Sequence, residues 1–324
     1  DLEIERSEIL FNNEVVNFKS TIQDLILDAI EGYLVVLNYE KSLEVTKKNY
    51  DSVTKAYEES KTRFDLGSAT LYDLQNAEAS YATASTNLFA AEQNVKISKK
   101  SFFRVVGLKA INLEDVLKID TLINLEKILE NSLSSNLNLL LLTNDIKNKE
   151  ILILKKRKSK KPSLDLTGTG SYLDGGRLDS GTESTSASIA LTLNIPIFQK
   201  GQDNSDIRKF QSQMLQNEMN LIDFQNELEI LIANTFKDFK VNQSKMESNK
   251  IIIKSIETSL SSLQEEYNIG TKTITDLVDE EEKLLNAKVN YFNSKKDYLL
   301  NYFKLKSLDG SLIKLFDNYL PTIN

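Results

Sequence analysis

The most constraining feature of this 324-residue sequence is that it overlies itself. Sliding the chain by 203 positions places Ile4 over Ile207, Tyr33 over Phe236, Phe64 over Tyr267, Gly67 over Gly270, Asp73 over Asp276 and Gly107 over Gly310, without a gap. One supersecondary unit therefore occurs twice. In each copy a long segment of mixed polar and apolar residues runs to a glycine, Gly67 or Gly270, a short turn follows, and a second segment runs on to Gly107 or Gly310. Each copy is expected to be a long antiparallel helical hairpin.

The apolar period supports this. Val36, Leu43, Tyr50, Tyr57 and Phe64 lie seven apart before the first turn, and Leu74, Tyr81, Leu88, Val95 and Phe102 lie seven apart after it. The second copy follows the same rule with Phe239, Met246, Ile253, Leu260 and Tyr267, then Leu277, Leu284, Tyr291, Tyr298 and Leu305. A sustained 3.5-residue repeat drives left-handed coiled-coil packing. The positions three residues further along the return helices are often small (Ala77, Ala84, Ala91, Ser98; Ala287, Ser294), which permits close approach. As one helix, residues 203–267 would span about 100 Å, too long for a globule.

Composition limits the chemistry. The chain has no His, Cys or Trp, and a net charge of −7 from 40 basic and 47 acidic residues. Imidazole- and thiolate-based metal sites, Ser-His-Asp and Cys-His nucleophiles and disulfides are therefore excluded, no metal or cofactor is expected, and the acidic balance argues against nucleic acid as a partner. No run approaches the ~18 consecutive apolar residues of a membrane-spanning helix. The N-terminal Asp-Leu-Glu-Ile-Glu-Arg lacks the basic start and apolar core of a signal peptide, so any such peptide is expected to lie outside this sequence.

Glycine and proline are scarce at 11 and 3 residues, yet Gly168, Gly170, Gly175, Gly176, Gly181, Gly201, Pro162 and Pro196 all fall within residues 162–201. Ser163 to Leu173 alternates strictly, with Leu164, Leu166, Gly168, Gly170 and Tyr172 on one face. Ser186 to Ile197 does likewise, with Ala187, Ile189, Leu191, Leu193, Ile195 and Ile197. Two strands of this length and dyad period match transmembrane β-strands, and the polar, glycine-rich Asp174–Thr185 reads as their solvent loop. An ordinary half-exposed hairpin would alternate too. A lone ribbon is marginal in water and its open edges cannot sit in lipid, so other strands must complete it.

Three stretches carry a family resemblance: RFDLGSATLYDLQNAEASY (Arg63–Tyr81), YNIGTKTITDLVDEEEKLLNAK (Tyr267–Lys288) and NIPIFQKGQDNSDIRKFQSQ (Asn194–Gln213). They resemble the paired helix-turn-helix tips and the strand exit of the TolC-like outer-membrane channel proteins of drug efflux and type I secretion. The resemblance covers essentially the whole chain. It implies a mainly α fold of tandem coiled-coil helical hairpins plus transmembrane β-strands, assembled as a trimeric α-barrel and β-barrel. It also implies a homotrimer in the outer membrane of a Gram-negative bacterium with a long periplasmic extension. Its partners would be outer-membrane lipid, a periplasmic adaptor (membrane fusion) protein and an inner-membrane ABC or proton-driven pump that selects the cargo. The family's chains give four strands each, whereas this sequence holds one hairpin. Three copies of two strands fall below the eight-strand minimum of bacterial barrels, so an N-terminally incomplete chain is expected.

On this reading residues 1–108 form the first periplasmic hairpin, 109–161 an inter-repeat equatorial segment, 162–201 the transmembrane ribbon, 202–310 the second hairpin and 311–324 a tail. Gly67 and Gly270 would end the incoming helices in the left-handed conformation. Asp73 and Asp276 share one repeat position at the start of the return helices, where capping alone explains a carboxylate. Asp279 is different, because its repeat-mate is Asn76. The resemblance assigns Asp276 and Asp279 to a channel constriction, six carboxylates in a trimer, which would attract cations. It assigns Asp73, Tyr267 and Lys272 to a closed-state lock between the hairpins, with Lys272 in place of the more frequent Arg. Glu280, Glu281 and Glu282 read as a solvated charge run. The basic run Lys155–Lys161 fits either anionic headgroups or a solvated helix end. The competing reading is a soluble coiled-coil scaffold. An enzyme is a distant third, since no acid-base constellation stands beyond the tip carboxylates.

Overall fold

The computed structural model describes residues 2–115, 119, 123–173, 184–198 and 200–319. Most of the expected solvent loop (174–183), part of the inter-repeat segment and the end of the tail (320–324) lie outside the described residues. The elements run α1 (Leu2–Asp65), α2 (Leu71–Val106), α3 (Leu125–Ser135), α4 (Leu137–Lys158), β1 (Ser163–Leu173), β2 (Ser184–Asn194), α5 (Gln202–Asn268) and α6 (Ile274–Leu308), followed by two short 3-10 turns. Both copies of the repeat are therefore a long helix, a short turn and a return helix.

The turns show why the helices stop where they do. At the first, the N–H of Gly67 donates to the Phe64 carbonyl at 2.9 Å and that of Ser68 to Arg63 at 2.8 Å; at the second, Gly270 donates to Tyr267 and Thr271 to Glu266, both at 3.0 Å. This double bond is the Schellman closure, and it needs a residue in the left-handed region, which Gly67 (φ 72°) and Gly270 (φ 83°) supply. The return helices start from reciprocal capping boxes. Thr70 Oγ1 accepts from the Asp73 N–H while Asp73 accepts from the Thr70 N–H, and Thr273 and Asp276 do the same. A single residue, Ala69 or Lys272, separates closure from cap.

The chain packs as two units. One comprises the N-terminal residues through Asn17 with Asn138–Phe224; the other comprises Phe18–Leu137 with Gln225–Asn324, and α1 and α5 contribute to both. In the larger unit α5 carries the heptad read from its sequence. Leu228, Ile232, Thr235, Phe239, Asn242, Met246, Asn249, Ile253, Ile256, Leu260, Leu263 and Tyr267 are all buried or partly buried and alternate spacings of four and three without a break. Across from it Leu277, Leu284, Tyr298 and Leu305 of α6 are buried, and Phe239 stacks on Tyr298 with ring centroids 4.7 Å apart.

In α1 the buried seam differs from the stripe read in the sequence. Thr46, Asn49, Val53, Ala56 and Ser60 are buried, whereas Tyr50 and Tyr57 are only partly covered and Phe64 is exposed. The tyrosines lie beside the seam and pack on Tyr81 of α2, with centroid separations of 5.8 Å and 5.3 Å. Small side chains occupy the seam because they let helices approach closely, and the same logic buries Ala77, Ala84 and Ser98 on α2.

Where α3 meets the end of α6, Asn136 donates through Nδ2 to the Leu308 carbonyl at 3.1 Å. Beside it Gly310 has φ 71°, and a Cβ there would sit 2.3 Å from the Ser135 carbonyl oxygen, so no other residue fits.

The smaller unit holds the ribbon. β1 matches the alternating segment read in the sequence end for end, and β2 is shifted from Ser186–Ile197 to Ser184–Asn194. Pro196 has no N–H to donate, which limits the ladder at that end, while Ser184 and Thr185 pair with Leu173 and Tyr172 at the other. The antiparallel register pairs Leu164 with Leu193, Leu166 with Leu191, Gly168 with Ile189 and Gly170 with Ala187, so one face is continuously apolar. On the other face Thr169 and Ser188 hydroxyls meet at 2.7 Å and those of Ser171 and Ser186 at 2.8 Å. Every residue of both strands is exposed.

Candidate functional site

Two regions have unusual chemistry, one built from the repeat and one lying between its two copies. The first is the pair of tips. Val53 and Ala56 of α1, Ala84 of α2, Tyr267 of α5 and Ile274, Leu277 and Val278 of α6 form one buried cluster, which brings the two hairpins together there. At its edge the Tyr267 hydroxyl donates to Glu59 Oε1 at 2.6 Å. Arg63 pairs with the same carboxylate oxygen at 2.9 Å and lies over the Tyr267 ring, 4.8 Å from its centroid. Burial, then the hydrogen bond to Glu59, pushes the Tyr267 phenol up to about 12.

The residues expected to form a lock divide between two arrangements. Asp73 accepts from both the N–H and the hydroxyl of Thr70, at 3.2 Å and 2.7 Å, inside its own helix cap. Tyr267 is held by Glu59 and Arg63 on the opposite hairpin. Lys272 is exposed at the apex of the second turn; the backbone and then the side-chain hydrogen bond from Thr273 hold the Asp276 carboxyl below the usual range, with a smaller contribution from the Lys272 charge. Sequence reasoning missed Glu59, whose repeat-mate is Ser262 and whose partner lies 208 residues away.

The expected constriction carboxylates also differ from one another. Asp276 is half-buried and bound to Thr273 at 2.9 Å through both the backbone N–H and the hydroxyl, whereas Asp279, one turn on, is exposed. Of the following glutamates, Glu280 pairs with Lys283 at 3.0 Å, and Glu281 is turned into the protein, where burial raises its carboxyl above the ordinary value. Only part of that run is therefore solvated. Among the described residues no cluster of acidic side chains has the arrangement of a metal site.

The second region is the ribbon, whose apolar face is covered by none of the described residues; Ile189 is 83% and Leu166 73% exposed. No described helix is long and apolar enough to cross a membrane.

The family model described as "Outer membrane efflux protein" matches residues 3–108 and 129–311, taking in both hairpins and the ribbon. The chain belongs to the outer membrane efflux protein family. Outer membrane protein TolC of Escherichia coli (strain K12) is 26% identical over 315 residues, covering 92% of this chain and 63% of that protein. The alkaline protease secretion protein AprF of Pseudomonas aeruginosa is 20% identical over 304 residues, covering 91% and 63%. The chain thus spans just under two thirds of these relatives. The CmeC outer membrane channel of Campylobacter jejuni has the same fold, with a TM-score of 0.76 at 17% identity over 95% of this chain and 67% of that one. Outer membrane efflux proteins are transport proteins, so the tip carboxylates are not read as an acid-base pair.

Proposed function

We propose that the chain is a subunit of a homotrimeric exit duct in the outer membrane of a Gram-negative bacterium, used for efflux or type I secretion. The observation that carries this reading is the ribbon: eleven paired residues with a continuous apolar face and a hydroxyl-rich opposite face, wholly exposed, in a chain of the outer membrane efflux family. Its open edges are satisfied in lipid only by further strands, so the apolar face meets lipid and the hydroxyl face lines the pore. The helical hairpins continue the duct into the periplasm, where an adaptor and an inner-membrane ABC or proton-driven pump engage it. The name of AprF supports secretion as the setting, and the description of the family supports efflux.

At the tips, Asp276 and Asp279 of three subunits supply six carboxylates to a cation-attracting constriction. Asp279 is the more available of each pair, since Asp276 is also spent on its cap. The closed state is held by Tyr267 and by Asp73 and Lys272 of the two turns.

The test is membrane insertion. An arginine at Leu191, in the apolar face, should oppose insertion by roughly 2–4 kcal/mol if it lies near the bilayer midplane, whereas an arginine at Ser188 should be tolerated. The expected result is a detergent-extractable, heat-modifiable trimer for the parent and Ser188→Arg but not for Leu191→Arg. A freely soluble parent chain would instead support a coiled-coil scaffold.

A further inference from the structure

The basic run ahead of the ribbon is used unevenly. Lys155 pairs with Glu3 of α1, and Lys156 pairs with Asp206 at 2.8 Å and Asp203 at 3.6 Å on α5, so three acids of α1 and α5 are taken up by the first two lysines of the run. Lys160 donates to Asn204, and Asp165 on β1 accepts from Ser163. Arg157, Lys158 and Lys161 are left exposed at the end of α4, within six residues of the first strand residue. Lys200, also exposed, stands on the exit side just beyond the second strand.

The ribbon fixes how these cations lie relative to a bilayer. Eleven residues at ~3.4 Å, tilted by about 40°, cover roughly 28 Å, close to the apolar band of a transmembrane barrel. Aromatic rings mark both limits: Tyr172 at the loop end and Phe198, 81% exposed, beyond the end of β2. Such rings favour the level of the headgroups. Arg157, Lys158 and Lys161 lie on the Phe198 side, just outside the apolar band.

We propose that Arg157, Lys158 and Lys161 form a collar that binds the phosphates of anionic glycerophospholipid headgroups in the leaflet next to the helical body. The proposal rests on the membrane reading of the ribbon and adds a lipid preference to it. Lys155 and Lys156 hold α4 against α1 and α5, and the next cations point their charge at the headgroup layer. Free phosphate offers the same oxygens, but the position of the collar beside an apolar band selects a phosphate that is anchored in a bilayer.

The purified protein is reconstituted into phosphatidylcholine vesicles with and without phosphatidylglycerol, and the lipid retained by the trimer is extracted and measured. Phosphatidylglycerol should be enriched over its bulk fraction, less so at high salt. Each cation is worth about fivefold in binding, so the R157Q/K158Q/K161Q variant should lose at least ~tenfold of that binding. K96Q/K100Q/K109Q, with the same charge change at exposed positions elsewhere, should lose none. Equal enrichment in both variants overturns the proposal, as does displacement of the lipid by equimolar glycerophosphoglycerol or inorganic phosphate. Insertion into phosphatidylcholine with no enrichment defeats the collar alone. Failure to enter either vesicle defeats the membrane reading, and the collar falls with it.

Discussion

The hydroxyl of Tyr267 donates a 2.6 Å hydrogen bond to Glu59, and the contact joins the second hairpin to the first at their tips. A hydrogen bond to a charged group contributes about 1.5–3 kcal/mol, and at a half-exposed carboxylate the lower end applies. Tyr267→Phe should therefore raise single-channel conductance in planar bilayers. Glu59→Gln keeps an acceptor but loses Arg63, and should do so more weakly. A wild-type conductance for Tyr267→Phe would remove this bond from the closed state.

The same contact sets a behaviour at high pH. The phenol is raised from 10 to about 12, so the folded state favours its protonated form. That contribution is complete below pH 10 and is lost as the pH rises through about 12. Ultraviolet titration of tyrosinate should show a late component that disappears in Tyr267→Phe.

Asp276 and Asp279 should separate by substitution. Asp276→Ala removes half of a capping box and a favourable helix-dipole charge, destabilising by roughly 0.3–1 kcal/mol while also reducing selectivity. Asp279→Ala should leave thermal stability unchanged and still lower cation selectivity and block by multivalent cations. Reversal potentials in a salt gradient and a melting curve distinguish the two; unaltered reversal potentials for both would refute the constriction. Asp73→Ala should match Asp276→Ala in stability, since its carboxylate occupies the same capping position.

Two glycines with similar backbone angles should respond very differently. Gly270→Ala has open space around the new methyl group and should cost about 1–2 kcal/mol for the left-handed backbone alone. Gly310→Ala adds a collision with the Ser135 carbonyl, and should cost about 3 kcal/mol or more. Denaturant melts of detergent-solubilised protein read the difference.

Glu281 is raised by burial, so the folded state favours its neutral form. That contribution is complete below the ordinary glutamate value near 4.5 and is lost as the pH rises through the elevated one. Glu281→Gln should therefore raise the melting temperature at pH 7, with the gain vanishing near pH 4. A gain that persists at acid pH would point to a different cause.

Much of this was legible in the sequence because it was written twice. The turns at Gly67 and Gly270 and the capping carboxylates Asp73 and Asp276 recur at the 203 offset, and β1 followed from alternation alone. The α1 seam was not legible, because a search for apolar heptads finds Tyr50 and Tyr57 while close packing selects Thr46, Asn49 and Ser60. Glu59 was hidden for a different reason. Its importance comes from a side chain on another hairpin, and nothing in its local pattern marks it. The glutamate run read as uniformly solvated because charge patterning carries no information on which member faces inward.

The turns carry a mechanical consequence. With a Schellman closure on one side, a capping box on the other and one residue between them, the linkage has no slack to absorb motion. Near the turn, sliding or rotating one helix against its mate would have to break a closure bond or a cap, so the two helix ends there are geared together.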